Sequence, residues 1–335
     1  MTSETNVDNA EEAVSLFRPI PIASLLADTV TDFDIYVKVS SDLHPVLFRS
    51  RSQSITPEVL QRLTENRHET ILIPISQERN FAQYLEQHLE SVLHDDRLPL
   101  RERSDILYTT AHTMVEDIFA NPESTDLMKR SKDLVESTAG FLVRESSSFE
   151  HLVGLVSYDY YTYTHSVNVF VYSFSLAHRA GIADHDTLLE FGHGVLLHDV
   201  GKSRIDPNIL RSKGKLSEDE WKQMRLHPVY GYDLLKDHGV FTDLSLDVVR
   251  HHHEKMGGGG YPDNLASNKL DPLVRISTIA DIFDALTTRR TYKQALDTFS
   301  ALRLMKEKMS PDIDPELFRV FVELMGNSAP KSQPS

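Results

Sequence analysis

From about residue 150 onward the sequence is a succession of apolar helical segments, and most of them carry a histidine or an aspartate within or at the end of the apolar run. A carboxylate in an apolar stripe is costly to bury unpaired. A metal is one partner that offsets that cost. YYTYTHSVNVFVYSFSLAHRAG (160–181) predicts a helix stopped by Gly181, with His165 inside it. HDTLLEFGHGVLLHDVGK (185–202) predicts a second, with His198 and Asp199 near its end and Gly201 just beyond. LSEDEWKQMRLHPVYGYDLL (216–235) opens with Ser217 and Glu220 in a capping-box pattern. In it His227 precedes Pro228, which disfavours helical geometry at the histidine and predicts a kink or a helix start there. DLSLDVVRHHHE (243–254) ends in three histidines. DPLVRISTIADIFDALTTRR (271–290) starts with Asp271 as N-cap and Pro272 at the first helical position, and sets Asp281 among Ile279, Ala280, Ile282 and Phe283.

The chain has no cysteine, so a metal here must be held by nitrogen and oxygen. His165, His198, Asp199, His227, His252, His253 and Asp281 offer seven such ligands on five helices. That is too many for one first-row metal and suits two that share Asp199, because a His-Asp pair at a helix end can hold one ion or bridge to another. Two ions roughly 3.5–4 Å apart suit in-line phosphodiester hydrolysis. Taken singly, each residue has a plainer reading: His165 as a core histidine, Asp281 as a cap for a neighbouring helix, Lys202 as a helix-end lysine favoured by the dipole. Asp284 reads as a helix-packing partner or a support for a ligand. His151, His178, His185, His193 and His238 read as structural or surface residues.

A net charge of −15 excludes a general grip on polymeric nucleic acid, which needs a basic footprint. A small anionic ligand remains compatible, since exposed charge is screened beyond about 10 Å. No apolar run approaches the roughly 18 residues of a membrane span, and the polar, acidic start MTSETNVDNAEEAV lacks the pattern of a signal peptide. The expectation is a cytoplasmic protein without membrane insertion. Before residue 77 the pattern is mixed. FDIYVKVS (33–40) and HPVLFRS (44–50) read as paired strands, TPEVLQRLTENR (56–67) as a helix capped by Thr56, and ETILIPI (69–75) as a third strand. Residues 78–149 are helical in period and are a candidate dimerisation segment.

HDVGK (198–202), LRSKGKLSEDE (210–220), HPVYG (227–231), HHEK (252–255), GGGYP (258–262) and ADIFDALTTRRTYKQA (280–295) occur in an order and at a spacing that resembles the HD-GYP family of cyclic di-GMP phosphodiesterases. The resemblance covers about 150–320. It implies a C-terminal all-helical HD-type bundle (150–325); with the small N-terminal α/β domain and connecting helices (17–149) and the disordered tails at 1–16 and 326–335 that the residue pattern predicts, the expectation is a mainly α protein. It implies one metal on His165, His198, Asp199 and Asp281, and a second on Asp199, His227, His252 and His253. Iron is the expected metal and manganese the alternative. Asp199 and Lys202 are the implied catalytic pair, with a metal-bridging hydroxide opening cyclic di-GMP to pGpG, and GMP as a further product. Lys202, Tyr261, Arg290 and Lys293 are the implied substrate contacts, and the glycines let the backbone approach the nucleotide. Tyr161 stands where many members have a glutamate that helps to hold a third metal, so two metals are expected. Gly257 stands where the family usually has an aspartate, which predicts a looser loop lacking one capping carboxylate. The rival expectation is a non-catalytic cyclic di-GMP sensor, or a scaffold for diguanylate-cyclase-type partners.

Overall fold

The computed structural model describes residues 16–38, 44–65, 70–145, 147–155, 162–212, 214–288 and 295–328. By contact the chain divides into two compact units, Met1–Ile106 and Leu107–Ser335.

The first unit holds a four-stranded antiparallel sheet in the order β1-β6-β3-β4. Its strands are β1 (Phe17–Pro21), β3 (Ile35–Val37), β4 (Val46–Arg49) and β6 (Thr70–Pro74). Between them in sequence, β2 (Thr29–Val30) and β5 (Ser54–Ile55) form a separate short ladder. Among the described residues the α-helices lying wholly within the unit are α1 (Pro57–Glu65), α2 (Glu78–Gln87) and α3 (Leu89–Leu93). Ile20, Ile35, Ile71 and Ile73 alternate inward from the sheet and meet Leu63, Phe81 and Tyr84 in one apolar core. The pairing of β3 with β4, and the strand at β6, follow the sequence pattern. β1 does not, because Pro19 and Pro21 argue against a strand. The sheet accommodates them by placing β1 at an edge, where a missing N–H costs no ladder bond.

α4 (Leu100–Ala120) runs across the boundary at 106/107. The second unit continues with α5 (Thr125–Arg144), α6 (Ser148–Leu155), α7 (Thr162–Arg179), α8 (His185–Leu196), α9 (Pro207–Leu210), α10 (Glu218–Met224), α11 (His227–His238), α12 (Asp243–His251), α13 (Pro272–Thr287), α14 (Thr298–Lys308) and α15 (Pro315–Ser328). Among the described residues it contains no strand. The helices of 107–149 pack with this unit, α5 lying against α8.

α7 is the central helix, packed between α8 and α13. It is apolar almost all round because it is buried almost all round: Val167, Val169, Phe170, Val171, Tyr172, Phe174, Leu176 and Ala177 are all inaccessible. Tyr172, Phe283 and Phe321 meet edge to face at 5.1–6.2 Å between centroids, and each buried ring is worth about 1.5–3 kcal/mol. Helix starts are fixed by side-chain caps. Asp184, Thr242 and Asp271 accept backbone N–H groups at the starts of α8, α12 and α13, and Ser217 and Glu220 complete the expected capping box of α10. No described helix is long and apolar enough to cross a membrane.

Candidate metal centre

α8 ends at Leu196, so His198 and Asp199 lie past the helix, in the turn into the 3-10 stretch Val200–Arg204. The sequence reading had extended the helix through them. Gly201 is the cause. A Cβ there would sit 2.0 Å from the His227 carbonyl oxygen and 2.3 Å from the Gly231 nitrogen, so only glycine lets this turn lie on the first turn of α11. That contact brings Asp199 Oδ1 to 3.2 Å from His227 Nε2. As Pro228 predicts, a new helix starts at His227. α12 stops at His251, leaving His252 as its C-cap.

One contact is repeated at three imidazoles. Nδ1 of His198, His227 and His252 lies 2.7, 2.8 and 2.8 Å from the carbonyl oxygen three residues earlier, at Val195, Met224 and Val249. A carbonyl only accepts, so each neutral ring carries its proton on Nδ1 and a lone pair on Nε2. Nε2 of His198 is buried without a hydrogen-bond partner. Nε2 of His227 and of His252 face each other at 3.2 Å. Buried lone pairs that face one another and the oxygens of Asp199 need an electrophile between them, and a divalent cation fits.

His165 is held differently. Its Nδ1 lies 2.6 Å from Asp284 Oδ2, and its Nε2 lies 3.0 Å from Asp281 Oδ1. The other oxygen of Asp284 accepts from Asn168 Nδ2 at 2.8 Å, and Asn168 Oδ1 accepts from Tyr108 Oη at 2.8 Å.

The described residues form two groups, each able to surround one ion: His165, His198 and Asp199, and His227, His252 and His253. Asp199 lies between them. Its Oδ2 faces His165 and His198 at 3.6 and 3.5 Å and accepts from Lys202 Nζ at 2.5 Å, while Oδ1 faces His227. Asp281 also spans them, with Oδ2 3.4 Å from His253 Nδ1; the expectation had placed it on the first side alone.

Protonation suits cations. Burial holds His198 and His252 below the ordinary imidazole range and takes His253 down to about 3. Burial opposes charge on His165 as well, but its hydrogen bonds to Asp281 and Asp284 outweigh it and raise the ring to about 10. Burial works against ionised Asp199, yet the Lys202 ammonium and the neighbouring imidazoles keep it well below the usual carboxylate range; the imidazoles, His165 foremost, do the same for Asp281. Ionised carboxylates beside mostly neutral imidazoles are the donor set a divalent metal needs.

Tyr261 stacks on His253, with centroids 4.7 Å apart and planes inclined by 33°. Burial pushes its hydroxyl well above the usual phenol range. The exposed guanidinium of Arg225 lies 5.5 Å from the centre of its ring. The loop before Tyr261 is pinned, which corrects the expectation of looseness. Buried Glu254 accepts from Asp263 N and Leu265 N at 2.7 and 3.0 Å, and Asn264 Oδ1 accepts from Gly259 N at 2.6 Å. A Cβ at Gly257 would lie 2.9 Å from the Pro311 carbonyl oxygen. This glycine makes its close approach to the chain itself, and it leaves no room for an aspartate. His251 is tied to Asp247 and Asp263 at 2.6 and 2.9 Å.

Arg290, Lys293 and Tyr161 lie outside the described residues. The sequence reading missed Glu254, Arg225, Asn168 and Tyr108. Asn168 had a usable signal: a lone amide three residues after His165 on an apolar helix. Arg225 and Tyr108 had none.

The HD domain family matches residues 176–317. A cyclic di-GMP phosphodiesterase of Pseudomonas aeruginosa is 36% identical over 196 residues, covering 58% of this chain and 47% of that protein. A 3'3'-cGAMP-specific phosphodiesterase of Vibrio cholerae is 33% identical over 217 residues, covering 61% of this chain and 46% of that protein. The chain thus spans about half the length of these relatives. An HDG"Y"P protein from Bdellovibrio bacteriovorus shares the fold, with a TM-score of 0.66 at 22% identity over 92% of this chain and 99% of that one.

Proposed function

We propose that this chain, whose residues 176–317 match the HD domain family, is a metal-dependent phosphodiesterase that opens cyclic di-GMP to linear pGpG. The observation that carries the reading is the placement of Asp199, one oxygen toward each of two buried histidine groups. In it His165, His198, Asp199 and Asp281 hold one divalent cation, and Asp199, His227, His252 and His253 the other, with iron or manganese as the ions. Such a pair supplies a nucleophilic water at neutral pH and charge neutralisation at the phosphodiester.

The remaining work falls to side chains. Lys202 keeps Asp199 ionised and turned toward both groups, and its ammonium is the cation beside the scissile phosphate. Tyr261 walls the site next to His253, and Arg225 beside its ring adds a forked donor for an anionic diester. Arg290 and Lys293 take the second phosphate. Residues 17–149 are the regulatory part and 150–325 the catalytic part, with homodimerisation through 78–149 and diguanylate-cyclase-type partners as the accompanying expectations.

The Vibrio cholerae relative favours a second substrate, the hybrid cyclic dinucleotide named for it. Iron- or manganese-loaded protein should be incubated anaerobically with each dinucleotide and the products separated by chromatography. pGpG from cyclic di-GMP is the expected result. Opening of the hybrid ring alone moves the substrate. Neither reaction, in protein carrying two ions, moves the reading to a sensor.

A further inference from the structure

Three directional hydrogen bonds run inward from α4 to His165, through residues that no part of the reaction uses. Tyr108 donates from its hydroxyl to Asn168 Oδ1, Asn168 donates from Nδ2 to Asp284 Oδ1, and Asp284 Oδ2 receives His165 Nδ1, at 2.8, 2.8 and 2.6 Å. Asn168 and Asp284 are wholly buried and His165 is 1% exposed. Tyr108, Asn168 and His165 all precede the HD match at 176–317.

The direction of each bond matters. A carboxylate oxygen accepts, so the amide must turn its NH2 to Asp284 and its oxygen away. A buried amide oxygen without a donor is costly, and Tyr108 is the donor. Turned over, the amide would set its oxygen against the carboxylate. The phenol therefore selects the amide orientation, the amide holds the carboxylate plane, and the carboxylate keeps a proton on His165 Nδ1, so that Nε2, which faces Asp281, is the nitrogen that gives up its proton and ligates when a cation arrives. The nearby contact of His112 Nε2 with Thr164 Oγ1 at 3.2 Å holds the same two helices together.

We infer that Tyr108 and Asn168 are positioning residues that orient His165 for the cation on its side of the centre, with no comparable part in the other side. The inference rests on the metal reading above. Outer partners of ligating histidines carry roughly 10–100-fold of metal affinity, and the more distant members of a relay carry the smaller share.

The test is titration of the full chain with Mn2+ alone, reading free ion by electron paramagnetic resonance, for wild type, Tyr108→Phe, Asn168→Leu and the double variant. Tyr108→Phe keeps the ring and removes only the donor, so it reports even if Asn168→Leu fails to fold. The expected result is one site weakened about 10-fold or more by Asn168→Leu, less by Tyr108→Phe, with the second site unchanged. Adding Tyr108→Phe to Asn168→Leu should do nothing further, because the phenol acts through the amide. Unchanged affinities in folded variants overturn the inference and leave the metal reading standing. Equal weakening of both sites together with a lower melting temperature shows a structural role only and also overturns it. Wild-type protein that binds no Mn2+ overturns the metal reading, and this inference with it.

Discussion

His165 on one hand, and His198, His227 and His252 on the other, reach the same small volume by opposite routes. Each of the three is fixed by a carbonyl three residues away on its own chain segment. His165 is fixed by Asp284, 119 residues away in sequence. The consequence is electrostatic. Burial without an opposing charge on Nδ1 lowers the rings of His198 and His252, while two carboxylates raise His165 to about 10. A locally braced imidazole waits as a neutral ligand; a carboxylate-braced one must release a proton when a cation arrives.

The largest expected effect comes from the group both halves share. Asp199→Ala should abolish phosphodiester turnover and release metal from both sides, measured by nucleotide chromatography and metal analysis of the same sample. Turnover retained in that variant would sink the bridging role. Next comes the long-range brace. Asp284→Ala should lower affinity on the His165 side roughly 10–100-fold, and fewer protons should leave on metal binding near pH 7. Calorimetry in two buffers of different ionisation enthalpy reads both, and an unchanged proton count would contradict the contrast drawn here.

His193 sharpens the comparison by offering a buried ring with no carboxylate beside it, whose backbone hydrogen bond is to Lys132 on another helix. Burial, then the charge of Lys132, takes it from 6.5 down to about 4. Between those two values the unfolded chain binds the proton and the folded chain does not. Stability is therefore lost as pH falls from 6.5 toward 4 and is fully present above 6.5, by an amount on the order of 2–4 kcal/mol. Urea denaturation at pH 7 and pH 5 should show that loss, and His193→Gln should flatten it. The smallest effect belongs to the glycine loop. Glu254→Gln replaces one of the two accepting oxygens with an NH2 group, so one of the bonds from Asp263 N and Leu265 N is lost, which should cost about 1–2 kcal/mol. A stability equal to wild type in urea would show that the loop is held by its other contacts.

Much of this was legible in the sequence. The helices of the second unit, their caps at Ser217 and Asp271, and the helix start at His227 follow from local chemistry that acts within four residues. The seven candidate ligands stood out only as a set and through the family motifs that they occupy, since each taken singly has a plainer structural reading. β1 was not legible, since its two prolines are acceptable only at a sheet edge and edge position is decided by the other strands. The role of Gly257 was misjudged for a related reason: the obstacle to a larger residue is the carbonyl of Pro311, 54 positions away.

The sequence alone thus singled out the candidate ligands, placed them in or just past their helices, and limited any metal donors to nitrogen and oxygen. Tertiary structure decided the rest: that Asp199 and Asp281 each turn an oxygen to both histidine groups, that Glu254 closes the loop, and that Tyr108 and Asn168 stand behind His165. The physical reason is range. Helix propensity, capping and tautomer selection by a neighbouring carbonyl act over a few residues and leave a mark in the sequence. A hydrogen bond between α4 and α7, or a carbonyl that excludes a side chain, depends on which helices pack together, and no local pattern records that.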